Sequence, residues 1–218
     1  MDGVLINTEP LHYQCWVEIF KERYGVDLDY EVYKPCIGST RLHFMNLVRD
    51  HYGITFESLE AMNQIMKEKK DEIIARDGFP EMPGVGQMLC CLKEAGYRLA
   101  VASSSPKTVI TETLKSLNLM KYFDFVTSGD EVKNPKPAPD TFLFASKQLG
   151  VPVDECIVIE DSTNGGKAAK AAKMPCIWMH NPDSGDQEIP DAVLEITAWT
   201  QKNIEKIMKL LQFGQEKV

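Results

Sequence analysis

The chain has 218 residues, 44% of them hydrophobic and 26% charged, a composition typical of a globular protein with one domain, or one domain and a smaller insertion. Its net charge of -8 disfavours non-specific attraction to nucleic acids and anionic membranes, which bind basic surfaces, so we expect neither as a partner. No apolar run approaches the roughly 18 residues of a membrane span, and the first residues do not resemble a signal peptide.

Residues 10–80 have the periodicity of α-helices, with frequent charges and almost no strand-like runs. Apolar positions at helical spacing predict three amphipathic helices, at 11–25, 39–53 and 58–76. Each boundary carries a residue suited to it, with Ser39 or Thr40 and Ser58 as N-caps, and Gly25 and Gly53 as C-caps. We therefore expect a small helical domain in this part of the chain.

From Pro83 onward, short apolar runs alternate with helical patterns. The predicted strands lie within 97–105, 123–130, 156–162 and 175–181. The predicted helices cover 108–119, 140–150, 164–174 and 200–213. Strands that alternate with helices form a parallel sheet through right-handed crossovers, so this part of the chain is predicted to be an α/β domain with helices on both faces of the sheet.

Six cysteines are present, and none has the spacing of a zinc site. They are Cys15, Cys36, Cys90, Cys91, Cys156 and Cys176. Two of them are neighbours on a helical pattern, where a disulfide would be strained. We expect reduced and mostly buried thiols, as in a cytoplasmic protein.

Polar residues follow the predicted strands where ligands bind in an open parallel sheet, at the carboxyl ends. These residues are Ser103–Ser105, Gly129–Asp130 and Glu160–Ser162, together with the loop 133–137. Hydroxyl and backbone N–H groups at a helix start can hold a phosphate, a lysine can neutralise its charge, and adjacent carboxylates can hold Mg²⁺. Together, these residue types at the strand ends favour a phosphate-binding site.

Each of these segments also has a purely structural interpretation. Ser105 could be the N-cap of a helix with Pro106 at its first position, and residues 136–140 could be a rigid loop with Asp140 in the next helical turn. Glu160 and Asp161 are harder to explain in this way, because adjacent like charges at the end of a buried strand cost energy unless a cation compensates. The three segments at successive strand ends together favour a functional site.

These motifs resemble those of the haloacid dehalogenase superfamily, in the branch of β-phosphoglucomutases and small sugar-phosphate phosphatases. The segments that carry the resemblance are "MDGVL", "VASSS", "NPKPAPD" and "VIEDSTNG". The resemblance covers essentially the whole chain. It implies a Rossmannoid parallel sheet flanked by helices, formed by residues 1–9 and 81–218, with a helical cap domain inserted at 10–80.

The resemblance also implies a mechanism in which an aspartate attacks a phosphate ester and forms an aspartyl-phosphate. Ser103 then matches the hydroxyl that binds the phosphoryl group, Ser104 the next contact, and Lys136 the lysine between nucleophile and phosphate. Asp2 matches the general acid and base that protonates the leaving oxygen.

The metal that the resemblance implies is Mg²⁺. Its ligands would be the carboxylates of Glu160 and Asp161 and the backbone carbonyl of Asp2. The nucleophile would stand two positions before Asp2, which is one residue ahead of Met1, at the end of an apolar strand. Burial of the apolar side chains of such a strand contributes on the order of 10 kcal/mol to the free energy of unfolding, which is comparable to the total stability of a domain. We therefore expect that the sequence starts at an internal methionine and that these residues alone are inactive.

Four residues of the predicted cap match positions that contact the substrate in β-phosphoglucomutases. They are Thr8, His12, Arg41 and Lys69. Arg41 matches the arginine that binds the distal phosphate, for which a guanidinium is chemically suited. The alternatives are local packing for His12 and a solvated helix surface for Arg41 and Lys69.

We favour a phosphatase that acts on a small phosphorylated sugar or a similar metabolite. A β-phosphoglucomutase is the second candidate. The two activities differ in whether the closed cap excludes water from the site. A non-catalytic protein that binds a phosphorylated metabolite is the candidate from a different class. We expect a cytoplasmic monomer.

Overall fold

The computed structural model describes residues 1–37 and 41–215, with side chains as far as residue 212. The chain divides into two compact units. The helical unit consists of Asn7–Pro80 and Asp183–Gly185, and the sheet unit of Met1–Ile6, Glu81–Pro182 and Asp186–Val218. Ser39 and Thr40, the predicted N-caps of the second long helix, lie outside the described residues.

The helices of the helical unit agree closely with those predicted. They are α1 (Thr8–Tyr24), α2 (Tyr30–Tyr33), α3 (Arg41–Tyr52) and α4 (Leu59–Asp77). Helix α1 ends as predicted, because Gly25 has a φ of 66° and donates its N–H to the carbonyl of Lys21. Ser58 caps α4 by accepting the N–H of Ala61 at 3.2 Å. The four residues of α2 provide too short a pattern for prediction.

The core of the helical unit is aromatic. Trp16 and Phe20 of α1 meet edge to face, with 6.0 Å between their ring centroids, and Phe44 of α3 lies 4.6 Å from Trp16. Phe20, Cys15, Val48 and Met62 are completely buried. The apolar positions of the amphipathic patterns therefore form the interior of this unit, as the periodicity predicts.

The sheet unit alternates strands and helices. In chain order its elements are α5 (Val85–Glu94), β1 (Ala100–Ser103), α6 (Lys107–Ser116), β2 (Phe125–Ser128), α7 (Asp140–Leu149), β3 (Val158–Glu160), α8 (Thr163–Ala171), β4 (Cys176–Met179), β5 (Leu194–Ile196) and α9 (Gln201–Gln215). Every predicted strand is present in a shorter form, and β5 was not predicted. The predicted α/β class, with parallel strands flanked by helices, is confirmed.

The strands form two parallel sheets within residues 1–37 and 41–215. Strand β1 pairs with β2, which sets Ser103 opposite Ser128, and β3 pairs with β4, which pairs with β5. No described strand joins β1 to β3, so the predicted single sheet is divided in two. Parallel pairing places the carboxyl ends of paired strands at one edge, and this edge carries the polar residues.

The first six residues form a tight turn whose apolar side chains enter the core of the sheet unit. Gly3 has a φ of 65°, and the carbonyl of Met1 accepts the N–H of Leu5 at 2.7 Å. The carbonyl of Val4 accepts the indole N–H of Trp199 at 2.8 Å. These contacts fix the position of Asp2.

Within the described part of the chain, no helix is long and apolar enough to cross a membrane.

Candidate active site

Lys136 connects the ends of two strands in the sheet unit. Its ammonium donates to the carbonyl oxygen of Ala102 in β1 at 3.0 Å and to Oε1 of Glu160 in β3 at 2.5 Å. The side chains of Lys136 and Glu160 are only 7% and 8% exposed. The ammonium also lies 4.6 Å from the ring centroid of Phe142, a cation–π distance. The structure therefore brings together two of the residues that the sequence predicted for catalysis and metal binding.

The second oxygen of the Glu160 carboxylate is also fully engaged. Oε2 accepts hydrogen bonds from the backbone N–H groups of Asp161 and Ser162, each at 2.9 Å, and from the Ser162 hydroxyl at 3.0 Å. Burial alone would raise the pKa of Glu160, but the Lys136 ammonium and these donors outweigh it and hold that pKa below its ordinary value. Glu160 is therefore ionised and anchored.

Ser103 lies at the end of β1 and is buried, whereas its neighbour Ser104 is exposed. The hydroxyl oxygen of Ser103 accepts the backbone N–H of Ser105 at 3.1 Å. This bond tightens the turn that follows the strand. A phosphate at this turn would meet the Ser103 hydroxyl together with the backbone of the loop that enters α6.

The start of α6 rules out the purely structural interpretation of this segment. Ser105 could have been the N-cap with Pro106 at the first helical position, but the helix begins at Lys107 and Pro106 occupies the cap. The ψ of Pro106 is 143°, which keeps it out of the helical conformation. The Ser105 hydroxyl is consequently available for another contact, and it donates to Oδ2 of Asp2 at 3.0 Å. From the sequence, Ser105 was one of the strand-end hydroxyls that could hold a phosphate, and its contact with Asp2 was not predicted.

Asp161 lies against the backbone of the N-terminal turn. A Cβ atom on Gly3 would lie 1.9 Å from Oδ2 of Asp161, so only glycine permits this approach. The carboxylate of Asp161 is thus adjacent to the residue that follows Asp2. Among the described residues, no group of three or more His, Cys, Asp or Glu side chains is arranged to hold a metal ion.

Two of the predicted substrate residues lie in the first turns of α1. Thr8 is its first residue and is buried. Nδ1 of His12 lies 3.7 Å from Oε2 of Glu9, and the other oxygen of Glu9 accepts a hydrogen bond from the hydroxyl of Tyr33. Burial and Glu9 raise the pKa of Tyr33, so this hydroxyl stays protonated and keeps Glu9 in place.

Arg41 is the first residue of α3, and its guanidinium contacts neutral groups. The guanidinium carbon lies 5.8 Å from the ring centroid of Trp16, and Nη1 donates to Oδ1 of Asn63. Burial lowers the pKa of Arg41. No ion pair with a carboxylate is found for Arg41 among residues 1–37 and 41–215. A partly desolvated guanidinium with no acidic partner is suited to an anionic ligand.

Lys69 is in a different environment, because its ammonium is already surrounded by carboxylates. Its side chain is 10% exposed and lies 2.8 Å from Glu72, 2.9 Å from Glu22 and 3.9 Å from Glu18. These contacts connect α4 to α1. The assignment of Lys69 to substrate binding stays a prediction, as do those of Thr8, His12 and Arg41.

Comparison with known proteins gives a consistent family. Residues 1–179 match the family model of haloacid dehalogenase-like hydrolases. A phosphorylated carbohydrates phosphatase of Thermotoga maritima is 32% identical over 214 residues, which cover 97% of this chain and 95% of the relative. A fructose-1-phosphate phosphatase of Escherichia coli is 29% identical over 184 residues, which cover 81% of this chain and 92% of that protein.

Solved structures agree with this relationship. A crystal structure from Thermotoga maritima, described as a candidate β-phosphoglucomutase, is similar with a TM-score of 0.82 and 30% identity, over 96% of either chain. The range matched by the family model includes the polar segments at the strand ends. The chain therefore belongs to the haloacid dehalogenase-like hydrolases, and it resembles their sugar-phosphate phosphatases and phosphomutases.

Proposed function

We propose that this protein catalyses Mg²⁺-dependent phosphoryl transfer through an aspartyl-phosphate, and that its main reaction is the hydrolysis of a small phosphorylated sugar or a similar metabolite. The observation that carries the proposal is the buried ammonium of Lys136, fixed between Ala102 of β1 and Glu160 of β3. A cation anchored beside Ser103 at the carboxyl ends of parallel strands is suited to neutralise a phosphoryl group.

The reaction divides into two steps. The aspartate nucleophile that the family resemblance implies attacks phosphorus with a carboxylate oxygen, the P–O bond to the sugar breaks, and Asp2 gives its carboxyl proton to the leaving oxygen. Water then attacks the aspartyl-phosphate, Asp2 takes a proton from that water, and the P–O bond to the nucleophile breaks to release phosphate. Ser103 and Lys136 bind the phosphoryl oxygens in both steps.

Mg²⁺, when bound, would neutralise part of the phosphoryl charge. This ion usually takes one or two carboxylates together with water and phosphate oxygens, so it does not require a group of three protein side chains. Asp161 and the backbone carbonyl of Asp2 would hold it, and the approach of Gly3 to Asp161 supports this pair. Glu160, the third predicted ligand, would contribute by holding Lys136, because donors already occupy both of its oxygens.

The helical unit would select the substrate. Arg41 would bind an anionic group remote from the reacting phosphate, since its guanidinium is partly desolvated, contacts Trp16 and Asn63, and pairs with no carboxylate in the described part of the chain. Thr8, His12 and Ser104 would contribute polar contacts, as the resemblance implies.

The six cysteines are unpaired, which supports a reducing compartment such as the cytoplasm. We propose a monomer.

The test uses an N-terminally extended protein, in which an apolar strand ending in Asp precedes Met1. Release of inorganic phosphate from a panel of sugar phosphates is measured with and without Mg²⁺. We expect Mg²⁺-dependent turnover that is abolished when the added Asp is replaced by Asn. Turnover that survives this replacement would contradict the aspartyl-phosphate, and binding of sugar phosphates without any turnover would favour a non-catalytic protein.

A β-phosphoglucomutase is the second candidate, supported by the structural neighbour from Thermotoga maritima and by the surroundings of Arg41. The extended protein is incubated with β-glucose 1-phosphate and a glucose bisphosphate primer. A mutase forms glucose 6-phosphate and releases little phosphate, whereas a phosphatase releases phosphate at the rate at which substrate disappears. The ratio of the two products decides between the candidates.

A further inference from the structure

Ser105 makes a contact that connects the loop after β1 to the proposed general acid. Its hydroxyl donates to Oδ2 of Asp2 at 3.0 Å. Both side chains are partly buried, and both belong to the sheet unit. A charge-assisted hydrogen bond of this length is stronger than one between neutral groups.

The backbone of Ser105 is held on both sides. Its N–H donates to the hydroxyl of Ser103 at 3.1 Å, and its carbonyl accepts the hydroxyl of Ser128 at 2.7 Å. Ser128 is completely buried, and its oxygen also accepts the N–H of Asp130 at 3.1 Å. The ends of two neighbouring strands, β1 and β2, therefore fix the place from which the Ser105 side chain extends.

The hydroxyl of Ser105 is not used for helix capping. A serine directly before a helix ordinarily accepts an N–H of the first turn. Here Pro106 occupies the cap of α6, and no described side chain caps that helix. The extended conformation of Pro106 moves Ser105 one residue away from the helix, so the Ser105 side chain lies outside the first helical turn and donates to Oδ2 of Asp2.

We propose that Ser105 is a positioning residue for Asp2, an inference that rests on the proposed function. While Asp2 transfers the proton on one carboxyl oxygen to the leaving sugar oxygen, the Ser105 hydroxyl donates to the other. This bond holds the carboxyl plane in one orientation and stabilises the carboxylate that the transfer leaves behind. Ser105 itself gives up no proton, so the transferred proton comes from Asp2 alone.

The test compares two substrates whose leaving groups differ in their need for protonation. A sugar alkoxide needs protonation as the P–O bond breaks, whereas p-nitrophenolate leaves readily without it, so loss of general-acid function slows the first substrate much more. We measure kcat and KM of the N-terminally extended protein on a sugar phosphate and on p-nitrophenyl phosphate. The variants are Ser105→Ala, Ser105→Thr, Asp2→Asn and Ser105→Ala/Asp2→Asn. Ser116→Ala, at the exposed end of α6, is the matched control.

We expect Ser105→Ala to lower kcat on the sugar phosphate at least about tenfold more than on p-nitrophenyl phosphate, which is part of the roughly 10²- to 10⁴-fold that general-acid catalysis contributes. Ser105→Thr keeps the hydroxyl and should recover most of that loss. In the Asp2→Asn background the alanine substitution should add little, since the two residues act as a unit. Ser116→Ala should behave like the parent on both substrates.

Three outcomes would overturn the assignment. Equal losses on both substrates, with no recovery by threonine, would mean that Ser105 acts on phosphate binding or on the fold and not through Asp2. Additive losses in the double variant would mean that the two residues act independently. Absence of turnover by the parent on either substrate would refute the proposed function, and the assignment of Ser105 with it.

Discussion

The ammonium of Lys136 and the carboxylate of Glu160 lie 2.5 Å apart, with both side chains almost completely buried. Removal of one partner leaves the other charge buried without compensation, which typically costs about 3–5 kcal/mol. We expect Lys136→Met to lower the free energy of unfolding by about this amount. Urea denaturation followed by circular dichroism measures the difference.

Lys170→Met is the matched control for this prediction. Lys170 also pairs with a carboxylate, that of Asp191 at 2.8 Å, but the two side chains are 71% and 61% exposed. Exposed pairs contribute about 1 kcal/mol or less, so this variant should be close to the parent in stability. Equal effects of Lys136→Met and Lys170→Met would contradict the prediction.

The pH dependence of stability should carry a contribution from Glu160. Burial opposes ionisation, but Lys136 and the backbone donors hold the pKa of Glu160 below its ordinary value of 4.5. A carboxyl group with a lowered pKa in the folded state stabilises the protein above its unfolded pKa and loses that effect as the pH falls. We expect the free energy of unfolding to decrease below pH 4.5, in part through this group.

Glu160→Gln tests this contribution, since glutamine does not titrate. The variant should be less stable than the parent at pH 7, because it leaves Lys136 unpaired, but its stability should depend less steeply on pH below 4.5. Urea denaturation at a series of pH values measures both slopes. Parallel curves for the two proteins would show that Glu160 does not carry the effect.

Gly165 should be intolerant of a side chain. A Cβ atom at this position in α8 would lie 2.0 Å from Cδ of Glu160. We therefore expect Gly165→Ala to displace the carboxylate and to destabilise the protein by about 1–3 kcal/mol. Gly86 in α5 is the control, because the nearest atom to its Cβ would be Oε1 of Glu81 at 3.8 Å. Gly86→Ala should stabilise by about 0.5–1 kcal/mol, and denaturation of both variants checks the opposite signs.

Arg41 should contribute to substrate affinity. If its guanidinium binds a second anionic group, Arg41→Ala will raise KM about tenfold, which corresponds to about 1.4 kcal/mol, for a substrate that carries such a group. Arg49→Ala on the same helix is the control, since Arg49 is exposed and pairs with Asp50 at 3.1 Å. Steady-state kinetics on a sugar monophosphate and a bisphosphate should show the loss only for Arg41→Ala and mainly with the bisphosphate.

Local patterns were sufficient to predict the position of most polar residues at the strand ends. Apolar runs identify buried strands, and the residues directly after them lie at one edge of a parallel sheet. Ser103 and Glu160 therefore fall at the ends of β1 and β3 as expected. The direct contact between Lys136 and Glu160 was not predicted, because no local pattern relates a loop lysine to a strand 24 residues away.

Other features depend on contacts that sequence patterns do not encode. To predict the role of Ser105, one would have to know that Pro106 is the cap of α6 and not its first residue, a difference of one position. The burial of Lys69 results from Glu18 and Glu22 on α1 as well as Glu72 on its own helix. Strand β5 has three residues, one of them a glutamate, which is too short for a recognisable alternation.

The segment Asp183–Gly185 belongs to the helical unit although it is distant from it in sequence. Oδ2 of Asp183 accepts a hydrogen bond from the amide of Asn7 at 2.7 Å, and a Cβ atom on Gly185 would lie 2.9 Å from Cγ2 of Ile37. A graft of residues 7–80 alone into another hydrolase would remove these contacts. Chimaeras that exchange this unit should therefore carry both segments, since the packing of Asn7 and Ile37 depends on residues 183–185.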